Sequence, residues 1–221
     1  PQPTMPADLQ DDIQTEIAAA AARLIAEEGL DYASAKRKAA DEVLGAGRRR
    51  TLPDNATLER ELRRYLATFD ADQHRPRLAA MRALALDLMQ QLARFDPHLV
   101  GAVLNGSATA HSNIHLHLFT DSAKDVEMFL LDSGVDFEVE DAGRRRAEPR
   151  APSEELHFVV PGTLAGRAER IGVILSVHDT DAIRIAPRHR STEPDLDPVE
   201  AAGRANAKSL RELIDRAGRA A

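Results

Sequence analysis

The sequence predicts an α+β fold, with a helical N-terminal unit followed by a mixed sheet with flanking helices. Three observations point there. Apolar residues recur every three to four positions through the first third of the chain. The period then switches to strict alternation at residues 113–119. From residue 78 on, the segments read helix, strand, turn, strand, helix, three strands and a closing helix, an order that suits a sheet with helices packed on it.

The elements follow in order. Ile13, Ile17, Ala21, Leu24 and Ile25 share one helical face, and Gly29 ends that helix. The alanine run at 18–22 needs no special role, because Ala is the strongest helix former. A second helix is expected over 33–44, stopped by Gly45 and Gly47. A third is expected over 55–69, entered through Pro53 and Asp54, with Leu58, Leu62, Tyr65, Leu66 and Phe69 as its buried stripe. These three make an all-α domain over residues 1–76, closing in the polar, proline-containing stretch 70–76.

The second domain, residues 77–221, opens with a helix over 78–95 that turns Leu78, Leu84, Leu88 and Leu92 inward and stops at Pro97. Residues 99–104 form an apolar, strand-like run. In 113–119, Asn113, His115 and His117 point one way and Ile114, Leu116 and Leu118 the other, which is a half-buried strand. Ser122 and Asp125 have capping-box spacing before a helix over 123–132, and Gly134 suits its left-handed C-terminal cap. Strand character resumes at 135–139. After a charged loop at 142–152, the runs 156–160 and 171–177 read as central strands joined by a connection at 161–169. Asp197, Pro198 and Glu200 then open a terminal helix reaching about residue 217.

Composition bounds the function. The chain has 221 residues, 43% hydrophobic and 29% charged, the balance of a globular protein able to bury a core. Aromatic residues make up 4%, with no Trp, which argues against base-stacking platforms for single-stranded nucleic acid. The absence of Cys excludes disulfides, thiolate zinc sites, iron–sulfur clusters and a cysteine nucleophile. With no apolar run of membrane-spanning length and no signal-peptide pattern, the expectation is a cytoplasmic protein with no membrane partner. A net charge of −7 disfavours a general electrostatic grip on nucleic acid but leaves room for local arginine clusters.

One short segment carries chemistry. Asn105-Gly106-Ser107 ends one apolar run, and a polar-apolar alternating strand follows. Together with the element order over residues 78–177, this resembles the polymerase-β-like nucleotidyltransferase superfamily. In that superfamily a Gly-Ser pair binds nucleotide phosphates, and acidic residues on two later strands hold Mg²⁺. The resemblance implies that Gly106 and Ser107 bind phosphate. It also implies that the metal ligands have been lost, because Asn113 and His115 stand where the paired acids belong and the 171–177 run offers Gly172 and Ser176 but no carboxylate. A phosphoryl transfer that depends on metal-borne charge stabilisation cannot survive that loss. The resemblance therefore implies a degenerate, non-catalytic member, without metal or other cofactor, that binds a nucleotide or a nucleic acid phosphate. An active enzyme would have to recruit displaced acids such as Asp121, Asp125 or Asp179, and only then would Mg²⁺ be the cofactor.

Other readings of the same residues stand beside this one. Asn-Gly-Ser is also an ordinary turn sequence. His111, His115 and His117, with His157 or His178 from another strand, offer imidazoles for a transition metal. Three basic clusters, Lys36-Arg37-Lys38, Arg48-Arg49-Arg50 and Arg144-Arg145-Arg146, are candidate phosphate anchors, the last two being the ones to test for nucleic-acid contact. Residues 26–34 faintly resemble the start of a helix-turn-helix regulator but lack a recognition helix. The alanine-rich first helix is a candidate surface for a homodimer or a helical protein partner, which leaves an interaction or regulatory module as a further alternative.

Overall fold

Strong helix formers and side-chain caps build the first elements of the chain. The computed structural model describes residues 7–45, 51–141, 151–164, 166–187 and 190–220. Helix α1 (Ala7–Glu28) buries Ile17, Ala21, Leu24 and Ile25, and Gly29 takes φ +68° just beyond it. Asp31 accepts from the Ser34 amide to start α2 (Tyr32–Leu44), and Asp54 accepts from the Thr57 amide to start α3 (Asn55–Phe69). Ala35, Ala39 and Ala40 of α2 and Leu58, Leu62 and Leu66 of α3 close on α1 as one core. Phe69 departs from the expected stripe: it is 73% exposed and leans its ring on Tyr65 at 4.9 Å. Helical spacing continues to the last residue of α3, but the core does not extend that far.

Asp70 caps α3, and residues 71–76, where the first domain was expected to close, belong to α4 (Ala71–Gln91), with Pro76 inside it. Pro76 lies early in the helix, so its missing N–H removes one backbone bond without ending the element. Met81, Arg82, Ala85, Leu88 and Met89 are buried along it, with Leu92 just beyond, whereas Leu78 and Leu84 are only half-buried. The run at 99–104 splits: β1 (His98–Val100) stops at Gly101, whose φ of +72° starts the single turn α5 (Ala102–Asn105), and Gly106 caps that turn in the left-handed region. Strand β2 (Ile114–Phe119) and helix α6 (Ala123–Asp132) form as expected, with Ser122 accepting from the Asp125 amide. Strand β3 (Glu138–Asp141) follows.

The expected connection at 161–169 is instead ladder. Strands β4 (Glu154–Leu164) and β5 (Arg167–His178) pair from Glu154↔Val177 through Leu164↔Arg167, so Pro161 and Gly162 lie within the hairpin. The expected terminal helix is interrupted. Asp197 and Glu200 form a capping box over the turn α7 (Pro198–Ala201), then Gly203 at φ +74° redirects the chain into β6 (Ala205–Asn206) before α8 (Ala207–Ala220). No helix among the described residues is long and apolar enough to cross a membrane.

The six strands form one mixed sheet in the order β3-β4-β5-β2-β1-β6, with β2 and β5 parallel and the other neighbours antiparallel. Leu99, Leu116, Leu175 and Leu156 line up across β1, β2, β5 and β4, all fully buried. Because side chains alternate along a strand, the neighbouring row faces the other way. It runs His98, His117, Ser176, Glu155, Glu140 across five strands.

The fold is thus α+β, with an N-terminal helical region and a six-stranded mixed sheet. The chain divides into two units, the first made of Pro1–His74 with Ser107–His111 and the second of Arg75–Gly106 with Ser112–Ala221. Five residues from within the later part of the chain thus belong to the first unit.

Candidate functional site

The polar row of the sheet floors a cavity of about 360 Å³ whose lining includes His115 and His117 from β2, Ser176 and His178 from β5, Glu155 from β4 and Arg204 next to β6. The second unit supplies every one of these residues. Ser176 sits at the centre. Its hydroxyl donates to Glu155 Oε1 at 3.0 Å, and His115 Nε2 lies 2.7 Å from Ser176 Oγ. A hydroxyl has one proton, and Glu155 takes it. The His115 Nε2–H therefore donates to Ser176 Oγ, which leaves Nδ1 as the acceptor.

The imidazoles are packed against one another: His117 and His178 have ring centroids 4.4 Å apart, and His115 and His117 5.5 Å apart. Burial sets their protonation. It pushes His117 down to about 2, and the neighbouring His178, His115 and Arg204 act in the same direction. Burial also lowers His115 and His178, with Glu155 opposing in both cases. His98, at the end of the row, is lowered by burial against the opposing Asp96 carbonyl, which its Nδ1 meets at 3.0 Å. At neutral pH the cavity therefore presents uncharged imidazoles. His178 is 6% exposed, and its buried Nε2 has no hydrogen-bond partner, so it leaves one unsatisfied polar atom at the cavity wall.

Charge enters from two residues. Arg204 places its guanidinium 5.1 Å from the Phe119 ring centroid and donates to the Ile183 carbonyl. Burial lowers it from its ordinary value, with Asp96 opposing, yet a guanidinium stays charged at neutral pH. Glu155 is the sole carboxylate among the lining residues.

The sequence-predicted residues fall as follows. Ile114 pairs with Val173, so Asn113 stands beside Gly172, and its carboxamide covers the space that a side chain at 172 would need. Asn113, His115 and Gly172 supply no carboxylate, and this donor set does not fit Mg²⁺, which prefers anionic oxygen. Asp121 and Asp179 are exposed, as is Asp125 on α6. Among the described residues these acids join no trio of converging metal-ligand atoms.

Gly106 serves as the C-terminal cap of α5, and Ser107 is 1% exposed, its side chain hydrogen-bonded with that of Tyr32 within the first unit. As placed, the Ser107 hydroxyl is already engaged by protein. His111 is also in the first unit, its ring against Gly29. Of the basic clusters, Arg48, Arg49, Arg50, Arg144, Arg145 and Arg146 lie outside the described residues. In the first cluster, Lys36 donates to the Pro53 carbonyl and to Asn55, and Lys38 pairs with Glu28, which makes both structural.

Sequence reading did not assign Glu155, Arg204 or Glu140 a role. The signal was weak in each case: Glu155 and His157 are spaced two apart in a strand, but their partners Glu140 and Ser176 lie on other strands, about fifteen to twenty residues away. The trio Glu140, Glu155 and His157 has its ligand atoms all within 4.8 Å of one another. The chain matches no known protein family and no curated protein.

Proposed function

We propose that the protein is a non-catalytic, nucleotidyltransferase-like module that binds a nucleotide in the cavity over β1, β2 and β5. One observation carries the reading. The strand carrying His115 pairs with β1 on one side and with the strand carrying Gly172 on the other, and the positions from which carboxylates would reach a metal hold Asn113, His115 and Gly172, with His115 lining an open cavity. Its size is that of a small-ligand site. Arg204 is the cation for a phosphate, and the neutral imidazoles of His115, His117 and His178 offer hydrogen-bonding nitrogens to a base or sugar. The phosphate contact is assigned to Arg204 in preference to Ser107, whose hydroxyl is engaged by Tyr32.

Calorimetric titration with nucleoside mono- and triphosphates, and with short DNA and RNA at two salt concentrations, tests this. Saturable binding of a nucleotide is expected, weakened about tenfold or more by Arg204→Met, since a charge-assisted hydrogen bond is worth about 1.5–3 kcal/mol. Flat titrations with every ligand would overturn it. Incubation with labelled nucleoside triphosphate and Mg²⁺ or Mn²⁺ is expected to leave protein and nucleic acid unlabelled. Transfer of label would favour the active-enzyme alternative.

A further inference from the structure

We propose that Glu140, Glu155 and His157 form a binding site for a divalent transition cation of the Zn²⁺ class at the β3–β4 edge of the sheet. The register creates it. Glu140 pairs directly with Glu155, and His157 lies two residues along β4 on the same face, opposite Glu138. Two carboxylates directly opposite on antiparallel strands repel one another. A cation between them turns that cost into attraction.

The donor atoms already converge. Those of all three residues lie within 4.8 Å of one another, and His157 Nε2 is 3.3 Å from Glu140 Oε2. Ligands about 2.1 Å from an ion stand about 3.4 Å apart at the tetrahedral angle, so small side-chain adjustments close the set. Apart from that approach to Glu140, the buried His157 Nε2 has no hydrogen-bond partner, so its deprotonated form is free to bind a cation. Glu155 is held in place from behind by the Ser176 hydroxyl at 3.0 Å, itself braced by His115. This is the kind of outer contact that orients a metal-binding carboxylate.

One imidazole with two carboxylates selects for Zn²⁺, Co²⁺ and similar ions over Mg²⁺ and Ca²⁺, which favour oxygen ligands alone. Three protein ligands leave a coordination position for water or a small ligand. The site shares Glu155 with the cavity lining but takes Glu140 and His157 from outside it, and its ligands are none of Asn113, His115 and Gly172.

The test uses full-length protein stripped with chelator and titrated with Zn²⁺ by calorimetry and with Co²⁺ by visible absorption. One saturable equivalent is expected, with a Co²⁺ d–d band and much weaker uptake of Mg²⁺ and Ca²⁺. Glu140→Gln and His157→Gln, which keep side-chain volume, should each weaken binding by more than about tenfold. Ser176→Ala, which leaves every ligand in place, should weaken it by about tenfold through misorientation of Glu155. Circular dichroism checks that each variant is folded, and Glu140, exposed on an edge strand, is the position least able to disturb the core. No saturable uptake would overturn the proposal, as would Zn²⁺ binding that survives the Glu140→Gln/His157→Gln double variant unchanged, or equal affinity for Mg²⁺. Nucleotide titration of the metal-free protein reads the cavity separately, so failure at one site is distinguishable from failure at the other.

Discussion

Gly29 shows how one side chain can be forbidden twice. Its φ of +68° is strained for any residue with a Cβ, and a Cβ built there would stand 2.7 Å from His111 Cγ. Gly134 has a similar φ of +70° but open space around it. Gly29→Ala should therefore cost about 1–3 kcal/mol for the backbone and further destabilisation for the clash, whereas Gly134→Ala should cost only the backbone part. Urea denaturation of the two variants reads the difference, and equal losses would mean that the His111 ring moves aside freely. Gly29 was legible in the sequence as a helix stop, but its second constraint was not, because His111 is 82 residues away. The same holds for Ser176. It stands in an apolar run whose composition announces a buried strand, and nothing local says that its hydroxyl connects Glu155 to His115.

At the scale of elements, the short helix α5 is held from outside. Arg82 of α4, 5% exposed, donates through Nε to the Val103 carbonyl at 3.0 Å and through Nη2 to the Leu104 carbonyl at 2.8 Å, and it pairs with Glu200 Oε1 at 2.6 Å. A single helical turn cannot satisfy its own last carbonyls, and the guanidinium fork does so for it. Arg82→Met should lower stability by about 3–5 kcal/mol, because it takes the guanidinium from the Val103 and Leu104 carbonyls and from Glu200 Oε1. An unchanged denaturation midpoint would show that water replaces the guanidinium without loss. Periodicity disclosed α1, α3 and the alternation of β2, while stop and cap residues disclosed α2 and α6. It failed where long-range pairing overrides local signals. Pro161 and Gly162 read as a connection yet lie in the β4–β5 ladder, and Gly203 breaks a helix that Asp197 and Glu200 had opened correctly.

For the molecule as a whole, the buried imidazoles set a response to acid. His98, His115, His117 and His178 all have folded pKa values below their ordinary value, with His117 at about 2. Between the unfolded value of about 6.5 and each folded value, the unfolded chain binds more protons than the native one, so stability rises with pH through that window and is lost as pH falls. Each group contributes at most about 1.4 kcal/mol per pH unit, and nothing above about pH 6.5. Urea midpoints should therefore be flat from neutral pH upward and fall steeply toward about pH 5. His117→Gln should shallow the fall, and a protein equally stable at both ends of that range would contradict the burial of these rings.

The excursion of Ser107–His111 into the first unit has a consequence for modular exchange. A cassette boundary drawn after His74 severs the N-terminal helices from five residues of their own unit, among them Ala108, which is 1% exposed. Any graft that carries these helices elsewhere must take that internal pentapeptide with them.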